Sequence, residues 1–119
     1  MSETATTSGM DFVMFQTKNM AVARAFYEGL FGWKASMEYE DFYVEYDLPD
    51  GTTFAIGRDP SAPFVAMGGI MFGVPDAAAA RERAVALGAA HHKDYGGGSC
   101  TTAWCTDPDG NAFGLHERK

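Results

Sequence analysis

The sequence has few cysteines, few basic residues and no long apolar run. Its 119 residues include 9 Lys or Arg against 16 Asp or Glu, which gives a formal net charge of -7. Such a surface repels nucleic-acid phosphates and anionic lipids, so we expect neither nucleic-acid nor membrane binding. No segment approaches the roughly 18 apolar residues that a membrane-spanning helix needs.

The two cysteines, Cys100 and Cys105, fit neither a disulfide nor a metal motif. Five positions apart on one strand, their side chains would point to opposite faces, so a bridge between them is not expected. Thiols without CxxC or zinc spacing are typical of a reducing compartment. Residues 1–9 are small and polar and lack the basic and apolar regions of a signal peptide. We therefore predict a cytoplasmic protein with a disordered tail over residues 1–10.

What the sequence does contain is a repeated turn motif. P-D-G-x-x-F occurs at 49–54 and again at 108–113, 59 positions later. Proline presets φ, Asp bonds the local backbone and Gly accepts a positive φ, so each copy predicts a turn that leads into a strand. Two copies half a chain apart indicate an internal duplication.

The elements around the motif repeat as well. Apolar spacing predicts a helix over 20–31, begun by Asn19 as N-cap and ended by Gly32. A second helix is predicted over 77–87 and ends at Gly88, 56 positions after Gly32. Strands are predicted over 12–16, 33–37, 42–46, 53–57, 69–74, 89–93, 101–106 and from 112 onward, with a flexible loop at 95–99.

The predicted fold class is α+β, with two tandem βαβββ modules in a single domain. Module one covers 11–58, the linker 59–66 and module two 67–118, within a domain that spans 11–119. The apolar content of 46% is sufficient for a core without disulfides.

This order, with FYxxxFGW at 26–33 and DPDGN at 107–111, resembles the vicinal oxygen chelate superfamily of glyoxalase I, bleomycin-resistance protein and extradiol dioxygenase. The resemblance covers about 12–117. It implies that the strands curl into a U-shaped cup with helices outside. It also implies four metal-ligand positions inside the cup, which fall here on Phe12, Ala55, Gly69 and Gly114.

None of these four side chains can coordinate a metal ion, because Phe, Ala and Gly carry no donor atom. A shift of one residue gives Val13, Ile56, Ile70, Phe113 or Leu115, which are no better. We therefore predict no metal and no other cofactor. The chain would belong to a branch of the superfamily without the metal ligands.

Strand alternation predicts which side chains line the cup. They mix apolar, small and polar residues, which is typical of a pocket for a flat or apolar organic ligand. Val13, Phe15, Ile70, Phe72, Phe113 and Leu115 would then form the core. The expected ligand-binding residues are Phe12, Met14, Gln16, Ala55, Gly69, Met71, Trp104, Gly114 and His116. The alternative is that Phe12 and the methionines fill the cup.

Three functions stay open at this point. The leading prediction is that the protein binds a small organic molecule and acts by sequestration. A homodimer is also predicted. Phe31 and Trp33 would either contribute to the dimer contact or belong to the core. The alternative is a metal-independent lyase or isomerase, related to lactoylglutathione lyase, or a dioxygenase-like enzyme with non-standard residues. Catalytic candidates are then His116, Glu45 and Tyr43. The third is a regulatory subunit with a filled cup. The adjacent His91 and His92 would point opposite ways and not chelate together.

Overall fold

The computed structural model describes residues 4–119 and contains eight strands and two helices among them. Residues 4–10 carry no helix or strand, and the rest of the predicted tail, residues 1–3, lies outside the described residues. No helix among the described residues is long and apolar enough to cross a membrane. The first module contains β1 (Val13–Gln16), α1 (Met20–Phe31), β2 (Met37–Tyr39), β3 (Tyr43–Asp47) and β4 (Thr53–Gly57). The second contains β5 (Ile70–Gly73), α2 (Ala77–Ala86), β6 (Ala90–Gly96), β7 (Cys100–Thr106) and β8 (Ala112–Arg118).

The two modules have the same topology, which confirms the predicted α+β fold of tandem βαβββ units. Sheet A has the strand order β1-β4-β3-β2 and sheet B the order β5-β8-β7-β6. In each sheet the first strand runs parallel to the last, and the other pairs are antiparallel. The first strand of each module is therefore an edge strand.

The helices begin and end where local chemistry directs. The Asn19 side chain accepts a hydrogen bond from the Val22 amide, and the Asp76 side chain accepts one from Ala79. Gly32 follows α1 with φ of 70°, a left-handed conformation that Gly adopts without a Cβ penalty. The predicted first helix is thus correct to the residue.

Three sequence predictions differ from the structure. The strand predicted over 33–37 is wrong, since β2 covers Met37–Tyr39 and Trp33 instead turns its ring into the core. β6 extends to Gly96, so the first two residues of the loop predicted over 95–99 are strand, whereas 97–99 form the connection to β7. Val13 was expected in the core, but it lies at the exposed end of an edge strand.

The two sheets share one aromatic core. The rings of Phe54 in sheet A and Phe72 in sheet B lie 5.6 Å apart, and the Tyr27 ring of α1 contacts both. Phe31 and Trp33 stack at 4.6 Å and are partly buried against the same cluster. Each sheet therefore turns one face toward the helices and the shared core.

The DPDGN turn joins the two modules. The Asp109 carboxylate accepts hydrogen bonds from the Thr17 hydroxyl and the Lys18 amide of module one. The Asn111 side chain donates to the Gln16 carbonyl of module one at 2.8 Å and accepts from the amide of Met67, the first residue after the linker, at 2.8 Å. The motif predicted as a local turn thus also forms hydrogen bonds between the two modules.

Candidate functional site

The candidate site lies on the faces of the two sheets that turn away from the core. Residues paired across neighbouring strands share a face, so the pairing register identifies both sets. Open face A of sheet A comprises Met14, Gln16, Met37, Tyr39, Tyr43, Glu45, Asp47, Thr53, Ala55 and Gly57. Open face B of sheet B comprises Met71, Gly73, Ala90, Lys93, Tyr95, Cys100, Thr102, Trp104, Thr106, Ala112, Gly114, His116 and Arg118, with His92 on the same face because of a bulge.

The bulge between His91 and Lys93 determines to which face of sheet B the side chains of His91, His92 and Lys93 point. His91 pairs with the buried Cys105 and its ring contacts Asp94 at 2.8 Å on the helix side. His92 contacts the Thr106 hydroxyl at 2.9 Å on open face B. The two histidines do point opposite ways, and a metal site shared by them is not formed.

The register places two of the four expected metal-ligand positions at the centres of the open faces. Ala55 pairs with Met14 and Glu45, and Gly114 pairs with Met71 and Trp104. The other two positions, Phe12 and Gly69, lie one residue before β1 and β5, and Gly69 has φ of 99°.

The donor set at these positions does not fit a metal ion. The residues beside Ala55 and Gly114 on the neighbouring first strands are methionines, whose thioethers are not ligands for a hard divalent cation. Among residues 4–119, no group of three or more His, Cys, Asp and Glu side chains is placed to hold one. A metal-dependent mechanism therefore has no support in these residues.

Two methionines cover the glycines of the open faces. A Cβ added to Gly57 would meet the Met14 sulfur at 2.9 Å, and one added to Gly114 would overlap the Met71 sulfur. Met71 remains 50% exposed, and Phe12 is 48% exposed rather than folded into the face. The methionines thus line both open faces without sealing them.

The catalytic candidates are divided between the two faces. The Tyr43 hydroxyl donates a 2.7 Å hydrogen bond to the Glu45 carboxylate on open face A. Burial, followed by this hydrogen bond, raises the pKa of Tyr43 to about 12. His116 lies on open face B, where it pairs with Gly73 and Thr102. Within one chain the pairing register does not join these candidates into a single group.

Of the other candidates, Gln16 and Trp104 also reach the open faces. The Gln16 side chain accepts a hydrogen bond from the Val65 amide of the linker at 3.2 Å. Trp104 is half-buried between Lys93 and Gly114 on neighbouring strands.

A cleft of about 350 Å³ opens between the modules, at the edge strands. Phe31, Trp33, Phe54 and Phe72 are among the residues that line it, together with the turn around Asp50. Phe31 and Trp33, expected at a dimer contact or in the core, thus form the wall of this cleft. Of the open-face residues, only Thr53, Met71 and Gly73 reach it.

The architecture and sequence together match a known family. Residues 12–116 match the family model described as a glyoxalase-like domain. The chain belongs to this family. The match runs from the residue before β1 into β8, so the glyoxalase-like domain accounts for both modules. A search of the curated proteins found no significant match.

Solved structures of the glyoxalase-like group share the fold. A glyoxalase/bleomycin resistance protein from Albidiferax ferrireducens T118 superposes with a TM-score of 0.76 at 20% identity, covering 92% of this chain and 98% of that one. A lactoylglutathione lyase from Agrobacterium tumefaciens gives 0.73 at 18% identity, with 94% and 95% covered. The fosfomycin resistance protein FosX from Mesorhizobium loti gives 0.69 at 20% identity, with 94% and 93% covered. At these identities the likeness establishes the fold.

Sequence reasoning missed several residues of the open faces. Lys93 and Arg118 were not singled out, and neither were the exposed Met37 and Tyr39; His92 was named only as the neighbour of His91, and its place on open face B was not predicted. That His92 and Lys93 share one face depends on the bulge, which leaves no signal in the unbroken polar run from His91 to Asp94. The facing of Tyr43, Glu45 and Trp104 follows only from the pairing register.

Proposed function

We propose that this glyoxalase-like protein binds a small organic molecule on its open faces, without a metal ion, and acts by sequestration. The observation that carries the proposal is the residue set at the centre of each face. Ala55 and Gly114 offer no donor atom, and Met14 and Met71 beside them offer adaptable apolar surface. Trp104 and Tyr43 add aromatic surface and a hydroxyl, which suit a partly apolar ligand.

A homodimer completes this site in the proposal. Within one chain both sheets turn their other face to a shared core, so each open face is left without a lid. Large apolar side chains remain exposed there, including Met37 at 44%, Tyr39 at 60%, Met71 at 50% and Tyr95 at 52%. A second copy that covers them would remove this surface from water and close the cup. The two free thiols support a reducing compartment such as the cytoplasm.

The first experiment measures metal content and ligand binding on the same purified protein. Elemental analysis is expected to find well below one zinc, nickel, iron or manganese ion per chain. A thermal-shift screen with aromatic antibiotics, glutathione adducts and short oxo-acids is expected to give at least one stabilising ligand that is recovered unchanged. About one tightly held ion per chain would contradict the proposal, as would a screen in which no compound raises the melting temperature.

A metal-independent lyase or isomerase is the second candidate. It is favoured by the Tyr43–Glu45 hydrogen bond, which pairs a carboxylate base with a phenol that stays protonated at neutral pH. The test is a lactoylglutathione lyase assay with chelator present, on the wild type and on Glu45→Gln and His116→Ala. Turnover that both substitutions abolish favours catalysis, whereas ligand binding without turnover favours sequestration.

A further inference from the structure

The two open faces carry opposite charge. On open face A the charged side chains are Glu45 and Asp47, and on open face B they are Lys93 and Arg118. The carboxylates of sheet B lie on its other side: Asp94 contacts Arg81 of α2, and Glu117 accepts a hydrogen bond from the amide that begins α2. A local cationic surface on a chain of net charge -7 is contrary to the overall charge and calls for a specific explanation.

The bulge in β6 concentrates this positive charge. A regular strand would send alternate residues to opposite faces, so that His92 and Lys93 could not share one. With the extra residue, His92 bonds Thr106 and Lys93 pairs with Trp104, and both lie on open face B. Bulges commonly redirect a side chain beside a functional site.

The cations of open face B are available to a ligand. Among the described residues 4–119, Arg24, Arg58 and Arg81 form ion pairs with carboxylates, whereas Lys93 and Arg118 contact none. The Lys93 ammonium lies over the Tyr95 ring at 5.0 Å from its centroid, which orients it without neutralising it. The half-buried Trp104 ring lies beside it in the register.

We propose that open face B is an anion site that takes the carboxylate, phosphate or phosphonate group of a flat organic ligand. Lys93 contacts the anionic group, with His92 next to it in the chain; His116, which pairs with Thr102 on β7, lies toward the other end of the face. Trp104 stacks on the apolar part of the ligand, and Arg118 raises the positive potential at the end of β8. The inference rests on the proposed function, since it assigns the charge of the ligand that the site binds.

The experiment uses three naphthalene probes that share the aromatic ring system and carry a negative, a neutral and a positive polar group. They are 2-naphthoate, 2-naphthalenemethanol and 2-naphthylmethylammonium, titrated calorimetrically into the full chain at low and high salt, with inorganic phosphate in a fourth titration. The variants are Lys93→Met and Arg118→Met, with Lys34→Met as the matched control because Lys34 is exposed outside both open faces. Melting temperatures and sedimentation confirm that each variant keeps its fold and assembly.

We expect naphthoate to bind at least tenfold more tightly than the neutral alcohol, because a hydrogen bond to a charged group is involved. Lys93→Met is expected to remove about tenfold of that affinity, Arg118→Met less, and Lys34→Met none. High salt should weaken the binding of naphthoate and leave the binding of the alcohol unchanged.

Four results would overturn the anion site. In the first, neither naphthoate nor phosphate binds; in the second, the three probes bind with equal affinity. In the third, the affinity for naphthoate is unchanged by Lys93→Met; in the fourth, the ammonium probe binds most tightly. Equal affinity leaves the proposed function standing and removes only the anion site. Phosphate binding that depends on Lys93, with no naphthalene probe bound, keeps the anion site and contradicts the organic ligand. If Lys93→Met and Glu45→Gln both change sedimentation and leave anion affinity unaltered, the charges of the open faces serve the contact between the two copies and not the binding of an anion, and the anion site is overturned.

Discussion

The Tyr27 hydroxyl on α1 donates a 2.7 Å hydrogen bond to the carboxylate of Asp107, which lies 80 positions later in the second module. The other Asp107 oxygen accepts from the backbone amides of Asp109 and Asn111, each at 2.9 Å. Burial raises the pKa of Tyr27, and the nearby Asp107 charge raises it further. This phenol therefore remains a hydrogen-bond donor across the physiological range.

The first prediction concerns this bond. Tyr27→Phe should lower the free energy of unfolding by about 2 kcal/mol, because the buried carboxylate loses one charged hydrogen bond while the ring stays in place. Urea denaturation measures the change. Tyr39→Phe is the matched control, since Tyr39 is 60% exposed, and it should change stability by less than about 0.5 kcal/mol. Equal effects of the two substitutions would contradict the role assigned to Tyr27.

The second prediction compares the two copies of the turn. Asp109 bonds Thr17 and Lys18 of the other module, whereas its counterpart Asp50 bonds only Thr52 within its own turn. Asp109→Ala should therefore cost about 1–2 kcal/mol, and Asp50→Ala about 0.5 kcal/mol or less. Chemical denaturation of both variants decides the matter. A larger loss for Asp50→Ala would mean that the turns act locally.

These two turns illustrate which features of the structure can be predicted from the sequence. Local patterns predicted α1 to the residue, because the Asn19 cap, the apolar spacing and Gly32 all act within a few positions. The prediction of a strand at Trp33 was wrong because an aromatic residue after a helix is typical of a strand. The contact that instead holds the Trp33 ring in the core is with Phe72, which lies 39 positions away. The bonds of Asp109 and the bulge at His92 depend on contacts that no local pattern records. Fold could thus be predicted from the sequence, whereas the charge of each open face could not.

The third prediction is a tyrosine titration. The pKa of Tyr43 is raised to about 12, first by burial and then by its hydrogen bond to Glu45, whereas an unfolded tyrosine titrates near 10. The unfolded chain therefore releases this proton first, and stability should fall as pH rises above about 10. Difference absorbance between wild type and Tyr43→Phe isolates its phenolate signal. Glu45→Gln should lower the pKa, and an unchanged pKa would contradict the pairing.

The fourth prediction tests the packing of Met71 on Gly114. Gly114→Ala places a methyl group where the Met71 sulfur lies and 3.1 Å from a Thr102 methyl carbon. Because Met71 is half-exposed and flexible, it should move aside, and the loss of stability should stay near 1 kcal/mol. The Met71 methyl resonance in an NMR spectrum should shift. Gly73→Ala is the control, because a Cβ there meets nothing within 4 Å, and it should leave that resonance in place.

The fifth prediction restores metal donors to the open faces. Met14 pairs with Ala55, and Met71 with Gly114, on adjacent parallel strands about 4.8 Å apart. Each pair can therefore carry one His and one Glu directed at a common point, through Met14→His with Ala55→Glu and Met71→His with Gly114→Glu. Removing the Met71 thioether also makes room at Gly114.

The fourfold variant should retain about one zinc ion per chain after dialysis and sediment as a dimer, because zinc prefers four protein ligands and each open face supplies two. Either twofold variant alone should lose its zinc, since two donors leave the ion to water and buffer. Elemental analysis and sedimentation with and without zinc give the answer. Zinc held by a monomer would mean that the two open faces meet within one chain, and no retained zinc would mean that these register partners do not converge on a single ion.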